Sequence, residues 1–171
     1  VIPINVAQGL PWVVNALVAA FGVMAFAFYR LARAGRPYPG AYLVVMLIII
    51  NAIWFPNAGA NGGVAFFFMP AVSYAAIFFR GRARIVVVTA IVANGVGLTW
   101  LEHLRPDWLT PFADSAAMHA DVAVGFATSA LLTGIMLWVV TEAYDHEARS
   151  RESTLTALDE ARGEFVRLFE M

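Results

Sequence analysis

The chain has 171 residues, of which 61 % are apolar and 13 % charged, against roughly 45–50 % and 25 % in ordinary soluble domains; that composition excludes a soluble globule. It contains neither cysteine nor lysine, which removes disulfides, zinc–thiolate sites, Schiff-base chemistry and P-loop chemistry. The net charge of −1 hides an asymmetry: all twelve carboxylates lie at or after Glu102, while the residues before it carry only six arginines, too sparse for a nucleic-acid partner.

A helix crossing a hydrocarbon core of about 30 Å needs about 20 apolar residues, and four or five stretches approach that length. The first runs from Pro11 to Tyr29 and stops at Arg30. Pro37, Pro39 and Gly40 form a turn before a second stretch from Ala41 to Trp54. Pro56, Asn57, Gly59, Asn61, Gly62 and Gly63 then read as a polar, breaker-rich turn. The third stretch, Val64 to Phe79, holds Pro70 as a potential kink, and the fourth covers Ile85 to Leu101. A loop of Glu102 to Asp121 precedes the last stretch, Val122 to Val140, which meets no helix breaker before a charged tail. The expected fold is all-α, a polytopic transmembrane bundle of about five spans. The expected division is 1–143 for the bundle and 144–171 for a cytoplasmic helix.

Orientation follows from the arginines. Arg30, Arg33 and Arg36 form one cluster and Arg80, Arg82 and Arg84 another, each at the end of an apolar run. Positive loops are retained in the cytoplasm, so both clusters and the C-terminus are expected there, in the bacterial inner membrane. Trp12, Trp54, Trp100 and Trp108 then mark the outer boundary, and Tyr29, Tyr38, Tyr42 and Tyr144 the inner one. Five spans place the visible N-terminus outside. A start on Val1, with no signal-peptide pattern, leads to the expectation that sequence precedes it.

The tail from Glu142 to Met171 reads as a charged helix. Thr154, Leu158, Ala161, Phe165 and Leu168 recur at coiled-coil spacing, the pattern of a parallel dimer stalk, with a solvated amphipathic helix as the plainer alternative. Gly163 weakens such a helix by about 1 kcal/mol relative to Ala.

Certain segments resemble a known type of module. Gly62-Gly63-Val64-Ala65-Phe66-Phe67-Phe68 opens one span, Trp100-Leu101-Glu102-His103-Leu104-Arg105-Pro106 closes the next, and a final span runs into a charged helix. The arrangement is similar to the six-helix membrane domain of bacterial class III adenylate cyclases, and to the modules that precede diguanylate cyclases and sensor histidine kinases. The Gly-Gly-aromatic opening is similar to quinone-responsive histidine kinases, and Arg162 to Met171 resembles a connector into a PAS domain. The resemblance implies a homodimeric sensor whose output domain, a cyclase or kinase, lies outside this chain. The chain departs from that pattern in lacking the first helix.

Two groups of residues could carry chemistry. Glu102, His103, His119 and Asp121, with Asp107 and Asp114 nearby, suit a divalent cation (Zn²⁺, Mn²⁺ or Mg²⁺) or pH sensing at the outer face. A haem between His103 and His119, or simply a hydrated loop in which Asp114 and Ser115 start the last span, are the other readings. Within the membrane, Asn15, Asn51 and Asn94 want polar partners on other helices. Phe66, Phe67, Phe68, Met69, Trp100 and Asn94 outline a pocket for a small apolar ligand or quinone. The expected function is a sensor or receptor relaying a signal through the last helix. A small transporter or permease subunit is the alternative, disfavoured by the lack of an ionisable residue at mid-bilayer. An enzyme or scaffold subunit is a third reading, against which no nucleophile–base pair or strongly spaced metal motif appears.

Overall fold

A computed structural model describes Val6 and residues 12–169, with side chains as far as Glu152. The described residues form helices and turns with no strand, as the all-α expectation required. Among the residues described from Trp12 on, five α-helices succeed one another: α1 (Trp12–Arg33), α2 (Pro39–Trp54), α3 (Phe68–Phe78), α4 (Gly81–Leu104) and α5 (Ser115–Phe169). The chain divides into two compact units, Val1–Thr133 and Gly134–Met171.

Local chemistry sets the helix ends. Gly35 takes a left-handed conformation (φ +76°) just past α1. There the Arg36 N–H donates to Leu31 O at 3.0 Å and the Gly35 N–H to Ala32 O at 3.0 Å, closing the helix as a Schellman motif. Pro39 occupies the first position of α2, where a missing N–H costs nothing. Pro70 lies in the first turn of α3 for the same reason, so it opens that helix and does not kink it. Asp114 caps α5, its Oδ1 accepting the Ala117 N–H at 2.7 Å.

Among the described residues four helical segments are long and apolar enough to cross a membrane: Trp12–Arg33, Pro39–Asn57, Gly81–Leu104 and Ser115–Glu152. The third of the expected spans is shorter than the other four. Gly63–Phe67 is a 3-10 helix and only Phe68–Phe78 is α-helical. At 2.0 and 1.5 Å per residue this segment is about 26 Å long, short of a full hydrocarbon core. It still runs antiparallel to α2, because Phe68 meets Trp54 at one end and Tyr74 meets Tyr42 at the other. The second arginine cluster is also not a loop: Arg82 and Arg84 lie in the first turn of α4, and Arg84 Nε donates to Phe79 O at 2.9 Å.

Helix α2 is the centre of the first unit, burying Leu43, Met46, Ile49, Ile50, Ile53 and Trp54. Ala71 and Ala75 of α3 are fully buried at i, i+4, the small-residue stripe that lets membrane helices approach closely. Outward-facing Phe26, Val44, Ile48, Ile85, Val86, Val96 and Leu131 are mostly exposed, a surface that water would not tolerate and lipid would cover. The chain is thus that of a membrane-embedded helical protein.

The second unit is the remainder of α5. Its first turns expose Leu137, Trp138, Val139 and Tyr144, and an Arg151–Glu147 ion pair at i, i+4 lies beyond them. The expected seam residues Thr154, Leu158, Ala161, Phe165 and Leu168 lie outside the residues whose side chains are described.

Candidate functional site

The breaker-rich turn after α2 is not a hydrated surface loop. Asn57, Ala58 and Gly59 are buried, and Ala58 and Gly59 both adopt left-handed backbone (φ 57° and 61°). Left-handed backbone strains an L-residue such as Ala58, so the surroundings must hold the turn in place. Two carboxylates do so. Glu102, near the end of α4, accepts the Ala60 N–H at 2.9 Å and the Trp54 indole N–H at 3.2 Å, both on Oε2. Asp121, in the second turn of α5, accepts the Gly63 N–H at 2.6 Å and the Asn57 Nδ2 at 3.0 Å, both on Oδ2. The turn thereby joins α2, α4 and α5. The 105–114 connection closes over it, with the Thr110 N–H donating to Phe55 O at 3.0 Å and Trp108 edge-on to Phe55.

Backbones touch where Gly63 crosses α5. A Cβ added at Gly125 would lie 2.5 Å from Gly63 Cα, and one at Gly63 would lie 2.5 Å from Asp121 O. Only glycine permits this approach, and the approach delivers the Gly63 N–H to the Asp121 carboxylate.

Beneath this crossing is a cavity of about 200 Å³. Its walls are Val14, Val18 and Phe21 of α1, Met46, Ile49, Ile50 and Ile53 of α2, and Val124, Thr128 and Leu132 of α5, with Val64 and Phe67 from the turn. Asn57 and Asp121 form its polar end and are only 4 % and 7 % exposed. From Asp121 to Leu132 the cavity runs along about 16 Å of helix. Asn57 Oδ1 is buried without a hydrogen-bond partner. The Asn57 amide orientation is the one a carboxylate demands, since the reverse would bring two oxygens together.

The structure scatters the pocket residues expected from sequence. Phe67 lines the cavity. Phe68 packs edge-on against Trp54 at 6.0 Å and lies beside Gly95. Asn94 is engaged elsewhere, its Nδ2 donating to Asn51 Oδ1 at 3.1 Å, so one hydrogen bond ties these two amides across α2 and α4. Met69 and Trp100 are 53 % and 66 % exposed. Asn15 Oδ1, Ser129 Oγ and Thr133 Oγ1 are buried without partners.

The expected outer cluster is likewise divided. Glu102 and Asp121 grip different parts of the same turn, His103 is exposed beside Trp100, and His119 Nδ1 bonds back to Ser115 O on its own helix. Among the described residues no three histidine, aspartate or glutamate side chains gather into a metal-binding group. Asp121, which the sequence places at the end of a loop, is instead an ionisable group buried inside the bundle. The role of Asn57 was the least visible from sequence. Its one signal was a Pro-Asn dipeptide amid glycines, which reads as solvent-exposed turn chemistry.

The arrangement can hold a small molecule in an apolar slot while offering hydrogen-bond acceptors at one end, the usual construction of a ligand site. No protein-family model matches the chain, and neither the curated proteins nor the solved structures include one similar to it.

Proposed function

We propose that the chain is a membrane-embedded sensor module whose α5 relays occupancy of the cavity to a cytoplasmic output domain, a cyclase or kinase joined beyond it, in a homodimer. The observation that carries the reading is the identity of the cavity wall. Asp121, Val124, Gly125, Thr128 and Leu132 line the slot, and the helix bearing them is α-helical as far as Phe169. A ligand touching that wall acts directly on the helix that leaves the membrane. The positive clusters orient the Asn57–Gly63 turn to the extracytoplasmic side and the C-terminal helix to the cytoplasm. The polar end of the cavity then faces the outer leaflet, where a stimulus from outside the cell arrives.

Because the chain has no native cysteine, single-cysteine disulfide scanning from residue 152 to 168 in native membranes tests the dimer stalk. Cross-linking should peak at Thr154→Cys, Leu158→Cys, Ala161→Cys, Phe165→Cys and Leu168→Cys, in keeping with the 3-4 spacing. A flat profile, or no cross-linked dimer at any position, overturns the relay. A permease subunit is the second reading, favoured by the burial of Asp121 alone. Transport of a solute across sealed proteoliposomes would establish it.

A further inference from the structure

Two oxygens at the polar end of the cavity take no hydrogen bond, and the one on Asn57 has no accessible surface. Asp121 receives both of its hydrogen bonds on Oδ2, leaving Oδ1 with none from the described residues, and Asn57 Oδ1 is buried with no partner. Among the described residues no arginine or histidine forms an ion pair with Asp121. Its two donors are neutral, an amide and a backbone N–H, so they stabilise a carboxylate without cancelling its charge. A buried carboxylate left without a counter-charge is costly, and a cation donating to Oδ1 would offset that cost.

The rest of the cavity specifies the body of that cation. Apart from the Thr128 hydroxyl the wall is apolar, with Val18, Phe21, Ile50 and Leu132 offering no polar side-chain atom, so whatever fills this part is largely apolar. A cavity of about 150 Å³ admits a benzene ring. The 200 Å³ here takes a ring with a short alkyl linker.

We infer that the cavity binds a small amphiphilic amine, its ammonium meeting Asp121 Oδ1 and its aryl or alkyl body lying along α1, α2 and α5. A quinone would bring carbonyl acceptors to acceptors, and a fatty acid would bring a second negative charge. An alcohol supplies one donor and no charge. The assignment names the stimulus class and rests on the sensor reading for its biological sense, but binding is measured without reference to signalling.

The test uses purified protein in nanodiscs of saturated phosphatidylcholine, with empty discs as the partition control. Isothermal titration compares 3-phenylpropylamine, 3-phenylpropanol, 3-phenylpropanoate and propylbenzene. The amine should bind at least about tenfold more tightly than propylbenzene, the alcohol should fall between them, and the acid should not bind. Asp121→Asn preserves an oxygen for Asn57 and Gly63 but places an NH₂ where Oδ1 stood, so amine affinity should fall at least about tenfold. Thr128→Phe leaves the polar end intact and fills the slot, so it should abolish binding of every probe. Equal affinities for all four probes, or amine binding unchanged by Asp121→Asn, would overturn the inference and identify the slot as a seat for a lipid acyl chain. No binding by any probe also overturns it. If Asp121→Asn fails to fold, the probe series and Thr128→Phe decide the matter. Amine binding that leaves the Leu158→Cys cross-link yield unchanged would uphold the site and overturn the sensor reading; periodic cross-linking without amine binding would do the reverse.

Discussion

Gly125→Ala is the sharpest test of the backbone crossing that builds the cavity roof. The new Cβ would sit 2.5 Å from Gly63 Cα and 2.5 Å from Gly63 O, about 1 Å short of ordinary van der Waals contact. Neither neighbour is a side chain that can swing aside, so the backbone at Gly63 must retreat from α5. That retreat stretches the 2.6 Å bond from the Gly63 N–H to Asp121 Oδ2 to about 3.6 Å, beyond hydrogen-bonding range. Overpacking costs about 1–3 kcal/mol and a buried bond left unmade about 1–3 kcal/mol. The two are relieved by the same movement, so their sum is partly shared and the net loss should be about 2–4 kcal/mol. Gly97→Ala is the control, because nothing lies within 4 Å of the added Cβ and α4 should gain up to about 1 kcal/mol in helix propensity. Both variants are compared with the parent by steric-trap unfolding in bicelles. A Gly125→Ala protein as stable as Gly97→Ala would refute the crossing, and the cavity geometry with it.

The same contacts set further outcomes. Glu102→Gln keeps an acceptor for Trp54 and Ala60 and should stay within about 1 kcal/mol of the parent, whereas Glu102→Ala should lose about 1–3 kcal/mol, both read by the same unfolding assay. If Glu102 serves a cation instead, Glu102→Gln should change metal retention measured by mass spectrometry. A double-mutant cycle on Asn51→Ala and Asn94→Ala should return a coupling of about 0.6 kcal/mol, the average for polar pairs between membrane helices. Zero coupling would leave the two amides without a shared bond. Asp114→Ala should cost about 1 kcal/mol through loss of the α5 cap, with faster amide exchange confined to Ala116–Met118. Inserting one residue between Tyr144 and Leu155 rotates the C-terminal part of α5 by about 100° and should shift the cysteine cross-linking maxima, while seven residues should restore their phase.

Legibility from sequence was uneven, for reasons visible in individual residues. Helix α1 was readable as an apolar run that meets Arg30, although the helix continues to Arg33 and ends at Gly35, whose left-handed backbone the sequence reading did not single out. Asp114 as the start of α5 was readable because capping depends on a local side-chain bond. The third span is shorter and only partly α-helical. Val64 to Phe79 is apolar enough to cross, yet hydrophobicity cannot reveal that Gly63–Phe67 winds as a 3-10 helix to bring Gly63 against α5. Of the expected pocket only Phe67 lines the cavity, because aromatic richness also marked Met69 and Trp100, which face outward, while most of the wall is spread over aliphatic positions of α1, α2 and α5. Carboxylates were recognised at the right end of the chain, but their partners were not, since Glu102 to Ala60 and Asp121 to Gly63 are separated by 42 and 58 residues.

Composition and periodicity alone determined that this is a lipid-embedded, all-helical chain with a charged C-terminal helix, because burial in hydrocarbon demands long apolar runs with internally bonded backbone. Tertiary structure alone decided which glycine meets which helix, and therefore that a buried Asn–Asp pair closes an apolar slot. Such a site depends on backbone approach between distant segments, and no local pattern of residues encodes that distance.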